Sequence, residues 1–238
     1  MRTVLVTGFE PFGGETVNAS WEVARALHGR RCGDAVARAL MLPCAYDACV
    51  AEFVEAFERL KPDAVLLTGQ AARRAVVSVE RLAHDRASAT HADNRGVVRG
   101  GFASPLVGEA GTGVATRVSD SASPEATASG PARPIPAPQD VREPRLYLET
   151  TADVGAIAHA IRAVGVPARV SNDAGDYVCN HLYYGALKHL AVASPSTPAV
   201  FLHVPATPEQ TPTRANPRRL TTIDAARALV AAVVALAG

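Results

Sequence analysis

Cysteines, aromatic residues and net charge are all scarce in this chain of 238 residues. Aromatic residues make up 5% of it, and it has one tryptophan and four cysteines. The cysteines form no C-x-x-C pair and are too few and too irregularly spaced for a disulfide scaffold. We therefore expect reduced thiols and a cytoplasmic protein.

The charge balance and the lack of long apolar runs exclude two classes of partner. Lysine and arginine total 24 against 23 acidic residues, and no long block carries one sign. We therefore expect no nucleic-acid partner. No stretch reaches the ~18 consecutive apolar residues that a membrane helix needs. The start of the chain, MRTVLVTGF, lacks a signal-peptide cleavage pattern, so we expect no membrane partner.

The patterns of common metal and phosphate sites are missing as well. His159, His181 and His189 have no nearby carboxylate or cysteine at ligand spacing. The loop TGFEPFGG at Thr7–Gly14 has neither the G-x-G-x-x-G order nor a G-K-[ST] ending. We predict no metal and no cofactor. The two phenylalanines that flank Pro11 suggest an apolar lip suited to a flat, neutral ligand.

Strand-like and helix-like segments alternate along the first third of the chain. Strands are predicted at Arg2–Thr7, Val36–Leu42, Ala64–Thr68 and Ala75–Ala83. Apolar spacing predicts helices over about Ser20–Leu27 and Tyr46–Leu60. This βαβαβ order favours a largely parallel sheet with helices on both faces.

Periodicity is weak between His84 and about Glu143. Within this stretch, Ser119–Asp140 is a low-complexity segment rich in proline, alanine and serine. It cannot bury enough apolar surface to offset the entropy of ordering it, so we expect a mobile surface insertion at about 98–143. The remaining predicted elements are strands at Leu146–Leu148, Ala168–Val170 and Ala199–Val204 and helices over about Thr151–Val164, from Val178 onward and over Thr222–Leu236. We predict one domain over 1–238, an α/β/α sandwich with a twisted, mostly parallel open sheet.

Cys179 stands in the first turn of the helix that begins at Val178, after the turn signal Asp173–Gly175. At such a position the helix dipole and the unpaired backbone N–H groups favour an anion and can lower the pKa of a thiol. The pattern is typical of a reactive cysteine. The alternative is a buried structural thiol, because free cysteine is among the most buried residue types.

Two further residues lie where reactive groups collect in open α/β sheets. His203 is at the end of the Ala199–Val204 strand, and Glu80 is in the Ala75–Ala83 strand. Cysteine, histidine and a carboxylate form a minimal set for acyl transfer. The alternatives are a packing histidine and a solvated or Arg81-paired glutamate.

Four long blocks of the chain stand in a characteristic order. They are VLVTGFEPFGGETVNASWEVARAL at Val4–Leu27, TGQAARR with VERLA at Thr68–Ala83, VSNDAGDYVCNHLYYGAL at Val170–Leu187 and FLHVPATPEQ at Phe201–Gln210. Together they resemble the pyroglutamyl peptidase I family, also called pyrrolidone-carboxylate peptidases. These are cysteine peptidases that remove an N-terminal 5-oxoproline residue.

The resemblance implies catalytic and substrate-binding roles for particular residues. Cys179 would be the nucleophile, His203 the general acid and base, and Glu80 the carboxylate that orients the histidine. The implied substrate-binding residues, whose alternative is core packing or loop capping, are Phe9, Phe12, Tyr177, Gln70 and Asn18. The implied substrates are peptides with an N-terminal pyroglutamate, and the implied assembly is a homotetramer.

The chain departs from the family pattern in two places. Ala72-Arg73 stands where the family commonly has two glycines, and Thr90 stands where it usually has an arginine that stabilises the reacting oxygen. Arg73, Arg86 and Arg95 are candidates to replace that arginine. Two alternatives to an active pyroglutamyl peptidase stay open: a binding or oligomeric protein with little turnover, and an acyl hydrolase with a changed substrate.

Overall fold

The computed structural model describes residues 1–100, 146–207 and 220–238. The strands are β1 (Arg2–Phe9), β2 (Arg31–Cys32), β3 (Ala35–Leu42), β4 (Ala64–Gln70), β5 (Val77–Glu80), β6 (Leu82–His84), β7 (Tyr147–Glu149), β8 (Ala168–Ser171) and β9 (Ala199–Val204). The helices are α1 (Ala19–Ala26), α2 (Ala48–Leu60), α3 (Val154–Ala163), α4 (Val178–Ala193) and α5 (Thr222–Ala237). The insertion expected at about 98–143 lies, apart from its first three residues, outside the described part of the chain.

The central sheet has the strand order β2-β3-β1-β4-β9-β5-β8. The pairs β1–β3, β1–β4, β4–β9 and β5–β8 are parallel, whereas β2–β3 and β5–β9 are antiparallel. Strands β1, β4 and β9 are buried along almost their whole length, as expected for parallel strands covered on both faces. The prediction of a mostly parallel sheet is confirmed.

Helices cover the sheet on both sides. Helices α1 and α3 both pack against α5 over a core that includes Val4, Val6, Leu66 and Leu202. Helices α2 and α4 pack together on the opposite face. The result is the predicted α/β/α sandwich, and α4 brings Cys179 to the face opposite α5.

The single strand predicted at Ala75–Ala83 is in fact two strands. The chain leaves the central sheet at Arg81, whose backbone N–H donates to the Ser171 carbonyl oxygen at 2.7 Å. Leu82 to His84 then pair with β7 in a separate antiparallel sheet. A continuous valine-rich run does not reveal this change of partner, because both halves favour the strand conformation.

Helix α1 lies very close to the end of β1. A Cβ atom on Gly8 would lie 2.6 Å from the carbonyl oxygen of Ser20, so this position requires glycine. The backbone N–H of Phe9 donates to the Ser20 hydroxyl at 3.1 Å. These contacts fix where the first loop leaves the sheet.

Candidate active site

Glu80 and His203 form a buried hydrogen-bonded pair. Nδ1 of His203 lies 2.8 Å from Oε1 of Glu80, and the two side chains are 5% and 0% exposed. They belong to neighbouring antiparallel strands, β9 and β5, so the sheet itself sets their separation. A carboxylate at Nδ1 orients the imidazole and leaves Nε2 for proton transfer.

The thiol of Cys179 lies beside the strand that carries His203. A Cβ atom on Gly69 would lie 2.7 Å from the Cys179 sulfur, so the sulfur occupies the space over this glycine. Gly69 is the register partner of His203 in the parallel β4–β9 pair. Neighbouring strands lie ~4.8 Å apart and paired residues point to the same face. The thiol and the imidazole therefore share one face of the sheet.

Cys179 lies in the first turn of α4. Tyr177 is the N-cap of α4 and makes no side-chain capping hydrogen bond. Because the first N–H groups of a helix lack intrahelical partners, those of α4 point out beside Cys179. They form a ready site for an oxygen atom that becomes negatively charged during acyl transfer.

Burial acts on the proton affinity of both reacting groups. It raises the pKa of the Cys179 thiol, and it lowers the pKa of His203 against the opposing effect of Glu80. The lowered cysteine pKa expected at a helix N-terminus is therefore wrong for the resting site, because burial outweighs the backbone N–H group and Arg74. Both directions favour a neutral thiol beside a neutral imidazole.

A guanidinium completes this group of side chains. Arg74 forms an ion pair with Glu80, and its Nη2 donates to the carbonyl oxygen of Asp173 at 2.8 Å. Of the two neighbouring arginines, the sequence pattern points to Arg73 as a functional candidate, whereas the structure brings Arg74 to the carboxylate. The available signal was its position as the last residue of the TGQAARR motif, six residues before the glutamate.

An aromatic wall lies next to the N-terminus of α4. The ring of Tyr177 is 6.2 Å from that of Phe12 and 5.8 Å from that of Tyr46, centroid to centroid. The Tyr177 hydroxyl donates to the carbonyl oxygen of Ala92 at 2.9 Å, which fixes the ring. Phe12 and Tyr177 were singled out from the sequence; Tyr46 was not, because it stands where a helix start was predicted.

A family model described as pyroglutamyl peptidase matches residues 2–110 and 108–237. The chain belongs to this family. The resemblance inferred from the four sequence blocks is thereby confirmed. Pyroglutamyl peptidases of this family are cysteine peptidases, in keeping with the thiol, imidazole and carboxylate that the fold brings together.

Named relatives and solved structures agree with this assignment. The pyrrolidone-carboxylate peptidase of Cupriavidus pinatubonensis is 39% identical over 213 residues, covering 88% of this chain and 81% of that protein. Pyrrolidone-carboxylate peptidase 2 of Photorhabdus laumondii is 36% identical over 209 residues, covering 88% and 79%. The crystal structure of Bacillus amyloliquefaciens pyroglutamyl peptidase I is 30% identical with a TM-score of 0.80, covering 100% of this chain and 97% of that chain. Pyrrolidone carboxyl peptidase from Thermococcus litoralis is 26% identical with a TM-score of 0.79, covering 99% and 94%.

Three of the substrate-binding candidates in this family member are part of the internal structure. Phe9 is 2% exposed at the end of β1. Asn18 caps α1: its Oδ1 accepts from the Ser20 N–H at 3.0 Å and its Nδ2 donates to the Glu10 carbonyl oxygen at 3.0 Å. Gln70 accepts from the Ala19 N–H at 2.8 Å. These contacts join the end of β4, the first loop and α1, and a role in substrate binding stays a prediction.

Two of the three candidates to replace the family arginine lie at the surface, and the third, Arg86, is half-buried. Thr90 is exposed and its hydroxyl lies 3.0 Å from Nδ1 of His91. Arg73 and Arg95 are exposed. A different guanidinium, that of Arg99, lies 4.8 Å over the Tyr46 ring and pairs with Asp47. It therefore packs against the Tyr46 ring of the aromatic wall.

The described residues hold neither a cluster suited to a metal ion nor a helix that could cross a membrane. No group of three or more histidine, cysteine, aspartate or glutamate side chains in residues 1–100, 146–207 and 220–238 could hold a metal ion. Across the same ranges, every helix is too short or too polar to cross a membrane.

Proposed function

We propose that this chain hydrolyses the amide bond that follows an N-terminal pyroglutamyl residue, with Cys179 as nucleophile, His203 as general acid and base, and Glu80 as the orienting carboxylate. The observation that carries the proposal is the Glu80–His203 hydrogen bond, on the sheet face where the Cys179 sulfur lies over Gly69. Membership in the pyroglutamyl peptidase family supplies the reaction class.

The reaction proceeds in two halves. His203 takes the thiol proton as the Cys179 sulfur attacks the carbonyl carbon, and the negative oxygen lies at the N–H groups of α4. When the carbon–nitrogen bond breaks, His203 gives this proton to the leaving amine and a thioester remains. His203 then deprotonates water, which attacks the thioester carbonyl. Release of pyroglutamate returns the proton to the sulfur.

Glu80 makes both proton transfers easier. Its carboxylate lies 2.8 Å from Nδ1 and raises the pKa of His203, so it stabilises the imidazolium that forms transiently. Because burial alone lowers that pKa, imidazole without Glu80 would be a weaker base. The hydrogen bond to Glu80 therefore helps His203 to act as a general base although it is buried.

Recognition of the ring follows from its chemistry. A pyroglutamyl group is a neutral lactam without a free ammonium, so flat apolar surfaces and a few hydrogen bonds suffice to bind it. Phe12 and Tyr177 provide such surfaces beside the nucleophile. The proposal also includes three substrate-binding residues that would support this surface from behind: Phe9, Gln70 and Asn18.

Release of the fluorophore from a pyroglutamyl-coumarin amide tests the proposed function. We expect turnover by the wild type and loss of turnover in Cys179→Ser, with unchanged circular dichroism and melting temperature. Iodoacetamide should also abolish the activity by alkylating Cys179. Because the other three thiols are buried, we expect the reagent to be selective for this cysteine. Cys32→Ser, a buried thiol in the core on the opposite face, is the matched control and should remain active.

Other outcomes of this assay would point to the alternatives. Hydrolysis that persists in Cys179→Ser would exclude the cysteine mechanism. Turnover of other acyl amides or esters, without turnover of the pyroglutamyl amide, would indicate a changed substrate. A folded, reduced protein that binds 5-oxoproline without any turnover would indicate a binding protein, an outcome that the Thr90 departure makes worth testing.

We also propose a cytoplasmic homo-oligomer, with the tetramer implied by the family resemblance. Four free cysteines are consistent with a reducing compartment. The partners proposed are peptides that begin with pyroglutamate.

A further inference from the structure

The guanidinium of Arg74 contacts two separate parts of the active site. It pairs with the Glu80 carboxylate through Nη1, and its Nη2 donates to the Asp173 carbonyl oxygen at 2.8 Å. The Arg74 side chain is 19% exposed and Glu80 is fully buried. An ion pair so far removed from water is screened little by salt or solvent.

The Glu80 carboxylate has few other hydrogen-bond partners among the described residues. The oxygen that binds Arg74, Oε1, also accepts from His203, whereas Oε2 is buried without a hydrogen-bond partner among the described residues. A buried carboxylate is costly unless donors satisfy it. Arg74 therefore supplies one of the two side-chain contacts that hold this carboxylate in place.

Asp173 belongs to the turn that leads into the nucleophile helix. The Gly175 N–H donates to the Asp173 carboxylate at 2.8 Å, and Gly175 has a φ of +79°, a conformation that favours glycine. This compact turn ends just before Tyr177 and Cys179. Through Asp173, Arg74 links the strand of the acid to the helix of the nucleophile.

We infer that Arg74 is a positioning residue for this active site: it holds the Glu80 carboxylate against His203 and anchors the turn that places Cys179. The inference rests on the proposed function for its catalytic consequence.

The positive charge of Arg74 also acts on the pKa values of neighbouring groups, which a residue with a structural role alone would not do. It lowers the pKa of both His203 and Cys179. Glu80 and Asp173 raise the pKa of His203, and burial, Cys44 and Glu80 raise that of Cys179. Removing the guanidinium should therefore raise both pKa values. His203 and Cys179 would then lose their protons only at a higher pH.

The test compares Arg74→Met and Arg74→Lys with Arg81→Met. Arg81 adjoins Glu80 in sequence, but its half-exposed side chain only approaches Glu149 at 3.9 Å, so it controls for the loss of one positive charge. Two pH profiles are measured for each variant. One is kcat/KM for the pyroglutamyl-coumarin amide, and the other is the rate of iodoacetamide alkylation of the Cys179 peptide by mass spectrometry.

In Arg74→Met we expect kcat/KM to fall by about 10- to 100-fold, as for loss of a charge-assisted hydrogen bond. The acid limbs of both profiles should move up by about 0.5 pH unit or more. Arg74→Lys keeps the charge without the planar fork, so its limbs should stay near wild type while its rate is intermediate. Arg81→Met should match the wild type in both profiles.

Wild-type kinetics in Arg74→Met would overturn the inference. So would a slower enzyme whose two profiles keep the wild-type acid limbs, since that pattern means a structural role only. If circular dichroism shows that Arg74→Met does not fold, Arg74→Gln with the same two readouts decides. A wild type that alkylates normally but does not cleave the amide would refute the proposed function, while the alkylation profiles would still test Arg74.

Discussion

Glu80 and Arg74 act on the same imidazole in opposite senses. Glu80 is hydrogen-bonded to His203 and raises its pKa, whereas Arg74, bound to the same carboxylate oxygen, lowers it. Burial also lowers it, and more strongly than either charge acts. The acid limb of kcat/KM should therefore have its midpoint below the ordinary imidazole value of about 6.5.

Replacing Glu80 with glutamine separates charge from hydrogen bonding. The amide oxygen can still accept from His203, but the charge that raises the histidine pKa is lost, so the acid limb should move to lower pH. We expect kcat to fall about 100- to 10,000-fold, because the imidazolium is no longer stabilised. The measurement is kcat/KM against pH, with the exposed Glu149→Gln as control. An upward shift of the limb would contradict this account.

Some of the site residues could be found in the sequence and others could not. Cys179, His203 and Glu80 stand in long motifs, each with a residue type that acyl transfer requires. Arg74 and Tyr46 are ordinary arginine and tyrosine residues until the fold brings one to a carboxylate and the other to Tyr177. Their roles depend on how the chain folds: Arg74 must turn back onto a strand six residues later, and Tyr46 meets a residue far away in the sequence.

The N-terminus of α1 joins several elements around the first loop. Asn18 is 1% exposed and bonds both the helix and the loop, while Gln70 from β4 accepts from the next N–H group. The loop held in this way carries Phe12. Capping of α1 and support of the loop that carries Phe12 are therefore two consequences of the same bonds.

Substituting alanine for Asn18 should have two effects. Loss of the cap costs about 1 kcal/mol of unfolding free energy, and loss of the bond to Glu10 loosens the loop, so KM should rise. Asp153→Ala removes the cap of α3, whose carboxylate accepts from Ala156 at 2.9 Å, and serves as the matched variant. Urea titrations and steady-state kinetics should show similar stability losses, with a raised KM in Asn18→Ala alone. An unchanged KM would restrict Asn18 to capping.

The two faces of the central sheet carry different sets of residues. The reacting groups lie on the face that α2 and α4 cover, and the face beneath α1, α3 and α5 forms a large aliphatic core. Substitutions such as Cys32→Ser therefore probe stability without touching the chemistry. The same sheet supplies the register that sets His203 between Gly69 and Ser78.

Light scattering during size exclusion tests the proposed assembly. We expect a single species with a mass about four times that of the 24.8 kDa chain. Dilution to the concentration of the kinetic assays should leave the mass unchanged if the tetramer is the active form. A monomer at all concentrations would refute the proposed oligomer without affecting the mechanism.

The sequence alone determined the alternation of strands and helices, the buried parallel sheet and the helix that starts at Val178. Each of these depends on apolar spacing and turn residues within a short stretch of chain. The motif blocks also identified the family and the residue types of its chemistry.

Tertiary structure alone decided the division of the Ala75–Ala83 run, the contact of Arg74 with Glu80 and the protonation preference of Cys179. The first depends on which strand each half pairs with, and the second on how the connection between β4 and β5 folds back against the end of β5. The third reverses the local expectation because burial depends on everything packed around the thiol, whereas the helix N-terminus is a property of its own segment.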